Sequence, residues 1–266
     1  MKYIPIVIIL LASSLSGCGN KSAIPSNAPT GLKKLHNLSS TPHKTKENNI
    51  RINALRDTAL SVGARGGLAW RAKQINSILS RQEHLLYRIF NFHCLLLDDN
   101  ILPPVLVSGK NILQLHGDGI IRIADQSYRI IQQAKFVTNP PTWRKYLWMH
   151  FSQPETPNRT LLPQNKIERA IWQKHVAVGW LSGIKQADTI FTSNLGRLKR
   201  DYQGIIRYHN LLAQHIVSKP FVAKASFGIT GNGKEISIND QLLRITDFPS
   251  LQTDSSKWQT EIFVHD

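Results

Sequence analysis

Apolar residues recur along this chain in two distinct rhythms. From Ile50 onward, Ile52, Leu55, Ala59 and Val62 return at steps of three and four, as do Leu68, Ile75, Ile78, Leu79, Leu86 and Ile89. That is the period of an amphipathic helix. Within this region lies VGARGGLAW, whose Gly63, Gly66 and Gly67 either interrupt the helix or admit another backbone closely. Pro103-Pro104 ends it. Residues 104–137 change to short alternating runs (PVLV, NILQL, IIRIA, SYRIIQQAKFV) separated by SGK, HGDG and DQ, which reads as a set of hairpins. The helical rhythm returns over residues 165–217, read as two helices, and a second strand block covers 220–246. The expected class is α+β, a single globular domain. It consists of N-terminal helices and then two short β blocks, about 104–137 and 220–246, separated by a helical hairpin.

The two β blocks share a pattern. Both contain Ile-x-Ile-x-Asp-Gln-x-x-Arg-Ile, at Ile121 to Ile130 and at Ile236 to Ile245, after a Gly-Asp-Gly or Gly-Asn-Gly turn. They are expected to be pseudo-equivalent modules pairing in one sheet.

The N-terminus has a rhythm of its own. Lys2 precedes an apolar run, Ile4 to Leu11, too short to span about 30 Å of hydrocarbon, which takes about 20 residues. It reads as a secretory signal, residues 1–17, ending in Leu15-Ser16-Gly17-Cys18. That string resembles a bacterial lipobox, which implies lipid attachment at Cys18. Gly19 stands where the usual inner-membrane retention aspartate would be, so the resemblance implies sorting to the outer membrane with the body in the periplasm. Residues 18–48, rich in Ser, Asn, Pro, Lys and Thr, read as a lipidated flexible linker in which His36 and His43 are solvated. A globular domain at 49–249 and a polar tail at 250–266 complete the expected organisation.

Composition refines this picture at two points. The formal net charge is +16 and the pI about 10.1, which suits a solvated basic face or an acidic neighbour in an assembly. Nucleic acid bound directly is not expected for a protein in the periplasm. The chain has two cysteines; with Cys18 lipidated, Cys94 in NFHCLLL is left without a partner and is expected to be buried.

Chemistry is sparse. The chain has no G-x-S-x-G, no H-E-x-x-H and no nucleophilic-cysteine signature. His209 and His215 are six apart, off metal spacing for a helix, and Glu83-His84 and Asp98-Asp99 have no catalytic companions. No catalytic, cofactor or metal residue is assigned, and the chain is not expected to be an enzyme. The stretch TWRKYLWMHF allows two readings. Trp143, Tyr146 and Trp148 either pack into the body or form, with Arg144, a partner surface, where Trp, Tyr and Arg are enriched. The densest basic cluster, Arg197, Lys199 and Arg200, is the second candidate contact.

Seven long segments give the chain a family likeness: ALRDTALSVGARGGLAWRAKQIN, LLLDDNILPPVL, IRIADQSYRI, FVTNPPTWRKYLWM, GWLSGIKQADTIF, NLGRLKRDYQGIIRYHNLLAQ, and GITGNG with INDQLLRIT, in order from about residue 50 to 247. On these the chain resembles the DotC lipoproteins of Dot/Icm (type IVB) secretion systems and related conjugative plasmid transfer systems. The resemblance implies a structural component of an outer-membrane core complex. It would act with a DotD-like lipoprotein, a DotH-like outer-membrane component and copies of itself in a ring, for export of effectors or conjugative substrates. Two other readings of the residues stay open: a stand-alone lipoprotein binding anionic envelope glycan or lipid, and a cell-wall hydrolase.

Overall fold

The computed structural model describes residues 30–38, 49–115 and 119–259. Helices and small antiparallel sheets are both present, and the α+β class holds. In chain order come α1 (Thr30–His36), α2 (Asn49–Arg81), α3 (Glu83–Ile89), β1 (Ile101–Leu102), β2 (Val105–Leu115), β3 (Ile121–Gln132), β4 (Lys135–Phe136), α4 (Trp143–Leu147), α5 (Lys166–Ala213), β5 (Phe221–Gly231) and β6 (Ile236–Asp247). The chain divides into two compact units. One holds the described residues up to Arg71 and Phe151–Gln186; the other holds Ala72–His150 and the described residues from Ala187 on.

In the first unit, α2 and α5 meet through glycines spaced four apart on each helix. A Cβ at Gly63 would lie 2.3 Å from the Val176 carbonyl oxygen, and one at Gly67 2.2 Å from that of Trp180. Reciprocally, a Cβ at Gly179 would lie 2.2 Å from the Leu60 oxygen and one at Gly183 2.0 Å from that of Ala64. Small residues at four-residue spacing let helix backbones touch. Of the two roles open for the VGARGG glycines, close approach is the one found; α2 runs through them unbroken. Leu55, Ala59, Val62, Trp172, Val176 and Trp180 fill the core beside this contact. Arg51 caps it with a forked ion pair to the buried Glu168 (Nε–Oε1 2.8 Å, Nη2–Oε2 3.1 Å). The Gln164 amide also donates to Glu168, at 2.8 Å. These bonds hold the Glu168 carboxyl below its usual pKa.

The expected linker is structured in part. Residues 30–36 form α1, with Leu32 and His36 buried. His36 Nε2 bonds the Gln173 carbonyl at 2.9 Å, and Trp172 Nε1 donates to the Leu35 carbonyl at 3.1 Å. Composition had pointed to solvated coil, but two well-placed apolar residues, Leu32 and Leu35, suffice to seat a short helix on an existing core. His36 is therefore not solvated, and burial lowers its pKa. His43 and Cys18 lie outside the described residues.

In the second unit, residues 187–213 continue α5 as one helix. The segment expected to be a helical hairpin has no turn: Gly196 sits in the helix with open space around it, and Gly204 is where the β2 backbone approaches (Leu106 oxygen 2.8 Å from a Cβ there). The β blocks also differ from expectation. Ser108, Gly109 and Lys110 pair with Tyr128, Ser127 and Gln126, so neither SGK nor DQ is a turn. Each block is one long hairpin, 11 residues against 12. Polar pairs continue an extended strand when both faces are wet, and that hides them among turn residues in a one-dimensional reading. The glycine turn of the second hairpin is a true one. The Asn232 side chain accepts from the Lys234 and Glu235 amides, and Gly233 takes φ +86.

The two hairpins form separate two-stranded sheets, which corrects the expected single sheet. Their equivalence is nevertheless detailed. Leu106↔Ile130 corresponds to Val222↔Ile245, and both ladders shift register at the next pair, Val105↔Gln132 and Phe221↔Asp247. Below each hairpin a short antiparallel contact closes the base: Ile101↔Phe136 in the first, Val217↔Leu251 in the second. Left-handed residues precede both, Asp99 and Asn100 in one case and His215 in the other.

Candidate interaction surface

Pro140-Pro141 and Thr142 lead into α4, one turn of helix that stops when Trp148 becomes extended. Positions four apart share a helix face, and here Trp143 and Leu147 are both buried, in a core with Leu79, Leu86, Phe92, Leu198 and Ile205. Trp143 is fully enclosed; of its two readings, packing into the body is the one found. Its Nε1 has no hydrogen-bond partner among the described residues.

Arg144 is held on the outside of that core. Its guanidinium carbon lies 4.9 Å from the Trp143 ring and 5.0 Å from the Trp148 ring, and Nη2 pairs with Glu83 Oε2 at 2.8 Å. Cation–π contacts of this kind contribute about 0.5–1 kcal/mol each at exposed sites. The planar group is thereby fixed in orientation while a good part of it still meets solvent.

One helical turn of α5 brings Arg197 and Arg200 of the basic cluster to the same place, while Lys199, two positions from Arg197, leaves the helix on another face. Arg197 lies 5.6 Å above the Tyr146 ring. Tyr146 donates to Asp201 Oδ2 at 3.2 Å, and Arg200 forks onto Asp201 Oδ1 through Nε (2.9 Å) and Nη2 (2.8 Å). Burial first, and then the Asp201 charge, push the Tyr146 hydroxyl up to about 12. It therefore remains a donor at any physiological pH. Phe92 stacks on Tyr146 at 5.9 Å and meets Tyr202 edge-on at 5.2 Å.

The two sequence candidates thus form one surface, organised by Asp201, a buried carboxylate that was not singled out. Its signal is in the sequence: it is the lone acid in NLGRLKRDYQGIIRYHNLLAQ, directly after Arg197-Leu198-Lys199-Arg200. Arg197 and Arg200 are exposed and Arg144 partly so, and the surface presents these cations over an aromatic floor. Such a surface can bind carboxylates or other anions; it holds no nucleophile–base pair. Among the described residues, no group of three or more His, Cys, Asp or Glu side chains could hold a metal, and no helix is long and apolar enough to cross a membrane. Cys94 is exposed, which corrects its expected burial. The tight turn His93–Leu95 turns it outward while Phe92 enters the core, and Asn91 Nδ2 contacts its sulfur at 3.0 Å. His209 is spent on the Leu95 carbonyl at 3.0 Å.

Residues 49–260, from the start of α2 through both hairpins, match the TraI family of type IV secretory system proteins, described by conjugal DNA-protein transfer. The chain belongs to that family. It is a component of type IV secretion and conjugal transfer. No curated protein matches it. The family's match takes in the whole Arg144–Asp201 surface and begins after the N-terminal segment that holds Cys18.

Proposed function

We propose that this secretion component is a DotC-like, outer-membrane-anchored lipoprotein, structural and not enzymatic, in a type IVB core complex. In this reading the acyl chains on Cys18 hold the protein to the outer membrane, and the folded body stands in the periplasm. There it supports placement of a DotH-like component together with a DotD-like lipoprotein and further copies of itself. Effector proteins or conjugative DNA–protein substrates pass through the assembly, and the protein itself binds no nucleic acid.

The observation that carries the proposal is the family match over residues 49–260, taken with the signal and LSGC string that precede it. The Arg144–Asp201 surface supports it further, since a fixed cationic and aromatic face suits an acidic protein neighbour. The test compares wild type with Cys18→Ser in pull-downs from solubilised outer membranes, read by mass spectrometry. The expected result is recovery of DotD- and DotH-like proteins with wild type and their loss from the outer-membrane fraction in the variant. Recovery of wild type alone would overturn the proposal.

A further inference from the structure

The first unit is the more basic of the two. Its described residues carry eleven Lys and Arg against Asp57, Glu155 and Glu168, whereas the second unit sets eighteen against ten. Glu168 is buried and paired with Arg51, so nine exposed cations of the first unit face only Asp57 and Glu155 as exposed acids. Part of that charge is ordered along one line of α5. At 3.6 residues per turn, Ile167, Lys174, Val178, Leu181 and Lys185 fall within about 60° of one another. They lie on the side opposite Trp172, Val176 and Gly183, which face the core and α2. The three apolar side chains are 58, 51 and 68% exposed, and both lysines are exposed. The line is about 27 Å long at 1.5 Å per residue.

Charge and composition say what covers this line. A second copy is a poor occupant, because two first units with the same cationic excess repel each other. Protein interfaces gain most of their energy from Trp, Tyr and Arg, and the line has aliphatic residues and lysine instead. That is the composition of a helix lying in a bilayer surface. Its apolar side chains enter the acyl boundary while the lysine stems carry their charge up to the phosphates. Position supports the same occupant. Twelve residues separate Cys18 from Thr30 and can span about 40 Å at most. The helix that begins at Thr30, α1, is seated on α5 at Trp172 and Gln173. A helix with its side chains is about 10–12 Å across, so a chain acylated at Cys18 keeps the far side of α5 within reach of the membrane.

We infer that the 167–185 line of α5 rests on anionic phospholipid of the membrane that holds the acyl chains. The inference rests on the lipid anchor in the proposed function and names the surface that faces the bilayer. Acyl chains hold a protein to a membrane without fixing its rotation. A line of cations and apolar side chains fixes which side of the first unit is turned towards it.

The experiment uses the mature chain, residues 18–266, with Cys18→Ser so that no acyl chain contributes. Vesicles are phosphatidylethanolamine with phosphatidylglycerol, or phosphatidylcholine alone. Co-sedimentation is expected with the anionic vesicles, weakening as salt is raised, and not with the neutral ones. Lys174→Gln with Lys185→Gln should lower the partition coefficient about fivefold per lysine. Val178→Asn with Leu181→Asn should lower it severalfold. Melting should stay near wild type in both, because these side chains are exposed. Lys219→Gln with Lys234→Gln, in the second unit, should leave binding close to wild type. A polarity-sensitive dye on Val178→Cys, in a Cys94→Ser background, should shift to the blue with anionic vesicles, and the same dye on Lys234→Cys should not. No sedimentation with anionic vesicles, equal loss from the two lysine pairs, or no shift at position 178 would each overturn the docking. So would lysine variants that keep vesicle binding and lose core-complex partners in the pull-down, which would give the line to a protein. All of these leave the lipoprotein reading standing. Wild-type protein without acyl chains on Cys18, read by mass spectrometry, would instead strike that reading and the inference that rests on it.

Discussion

Arg51 and Glu168 show how single side chains set the stability of the first unit. Removing one partner of a buried ion pair leaves an uncompensated charge, at a cost of about 3–5 kcal/mol when both are buried. Arg51 is a quarter exposed, so Arg51→Ala is expected to cost about 2–3 kcal/mol, read as a lower denaturation midpoint. The pH dependence has the same root. Glu168 titrates below its ordinary 4.5, so its contribution is fully present above that value and is lost as pH falls through the lowered folded value. His36, lowered from 6.5 by burial, acts in the same direction and earlier: the unfolded chain takes up the proton first as pH drops below 6.5. Stability is therefore expected to fall in two windows on acidification, and His36→Gln should remove the upper one. Denaturant titrations from pH 7 down through the lowered Glu168 value measure both. Neither residue was legible as important. His36 lay in a stretch whose composition reads as coil, and the Glu168 partner is over a hundred residues away in sequence.

Among the elements, α5 carries glycines of opposite meaning. A Cβ at Gly183 would stand 2.0 Å from the Ala64 carbonyl oxygen, a backbone atom that cannot step aside. Gly183→Ala is expected to destabilise by about 1–3 kcal/mol, as overpacking does. A Cβ at Gly196 meets nothing within 4 Å, so Gly196→Ala should stabilise by up to about 1 kcal/mol through helix propensity alone. Thermal melts of the two variants should move in opposite directions. The sequence showed the glycines and offered both close approach and a kink; choosing between them needs the position of the other helix. The hairpins teach the same lesson from the other side. The Ile-x-Ile-x-Asp-Gln-x-x-Arg-Ile repeat was readable because register fixes which residues alternate. The single-sheet pairing was not, because alternation says which face a residue takes and nothing about which strand lies beside it.

For the molecule as a whole, the basic balance of +16 becomes informative at the Arg144–Asp201 surface. There the cations divide by role. Arg200 neutralises the buried Asp201, so reversing it should destabilise the fold and would obscure any effect on assembly. Arg197 and Lys199 do not bear on Asp201 in that way. Arg197→Glu with Lys199→Glu is expected to leave melting close to wild type while lowering recovery of core-complex partners severalfold in the pull-down. Equal recovery would remove this face from the assembly. The sequence by itself determined the α+β class, the hairpin repeat, the lack of a catalytic motif and the segments that carry the family likeness, because each is written in local periodicity, spacing and residue type. The tertiary structure decided that Trp143 is core, that Cys94 faces outward, that residues 166–213 form one unbroken helix, and that Asp201 gathers two distant basic and aromatic stretches into one surface. Those outcomes depend on which distant side chains compete for the same buried space, and that competition exists only once the chain has folded.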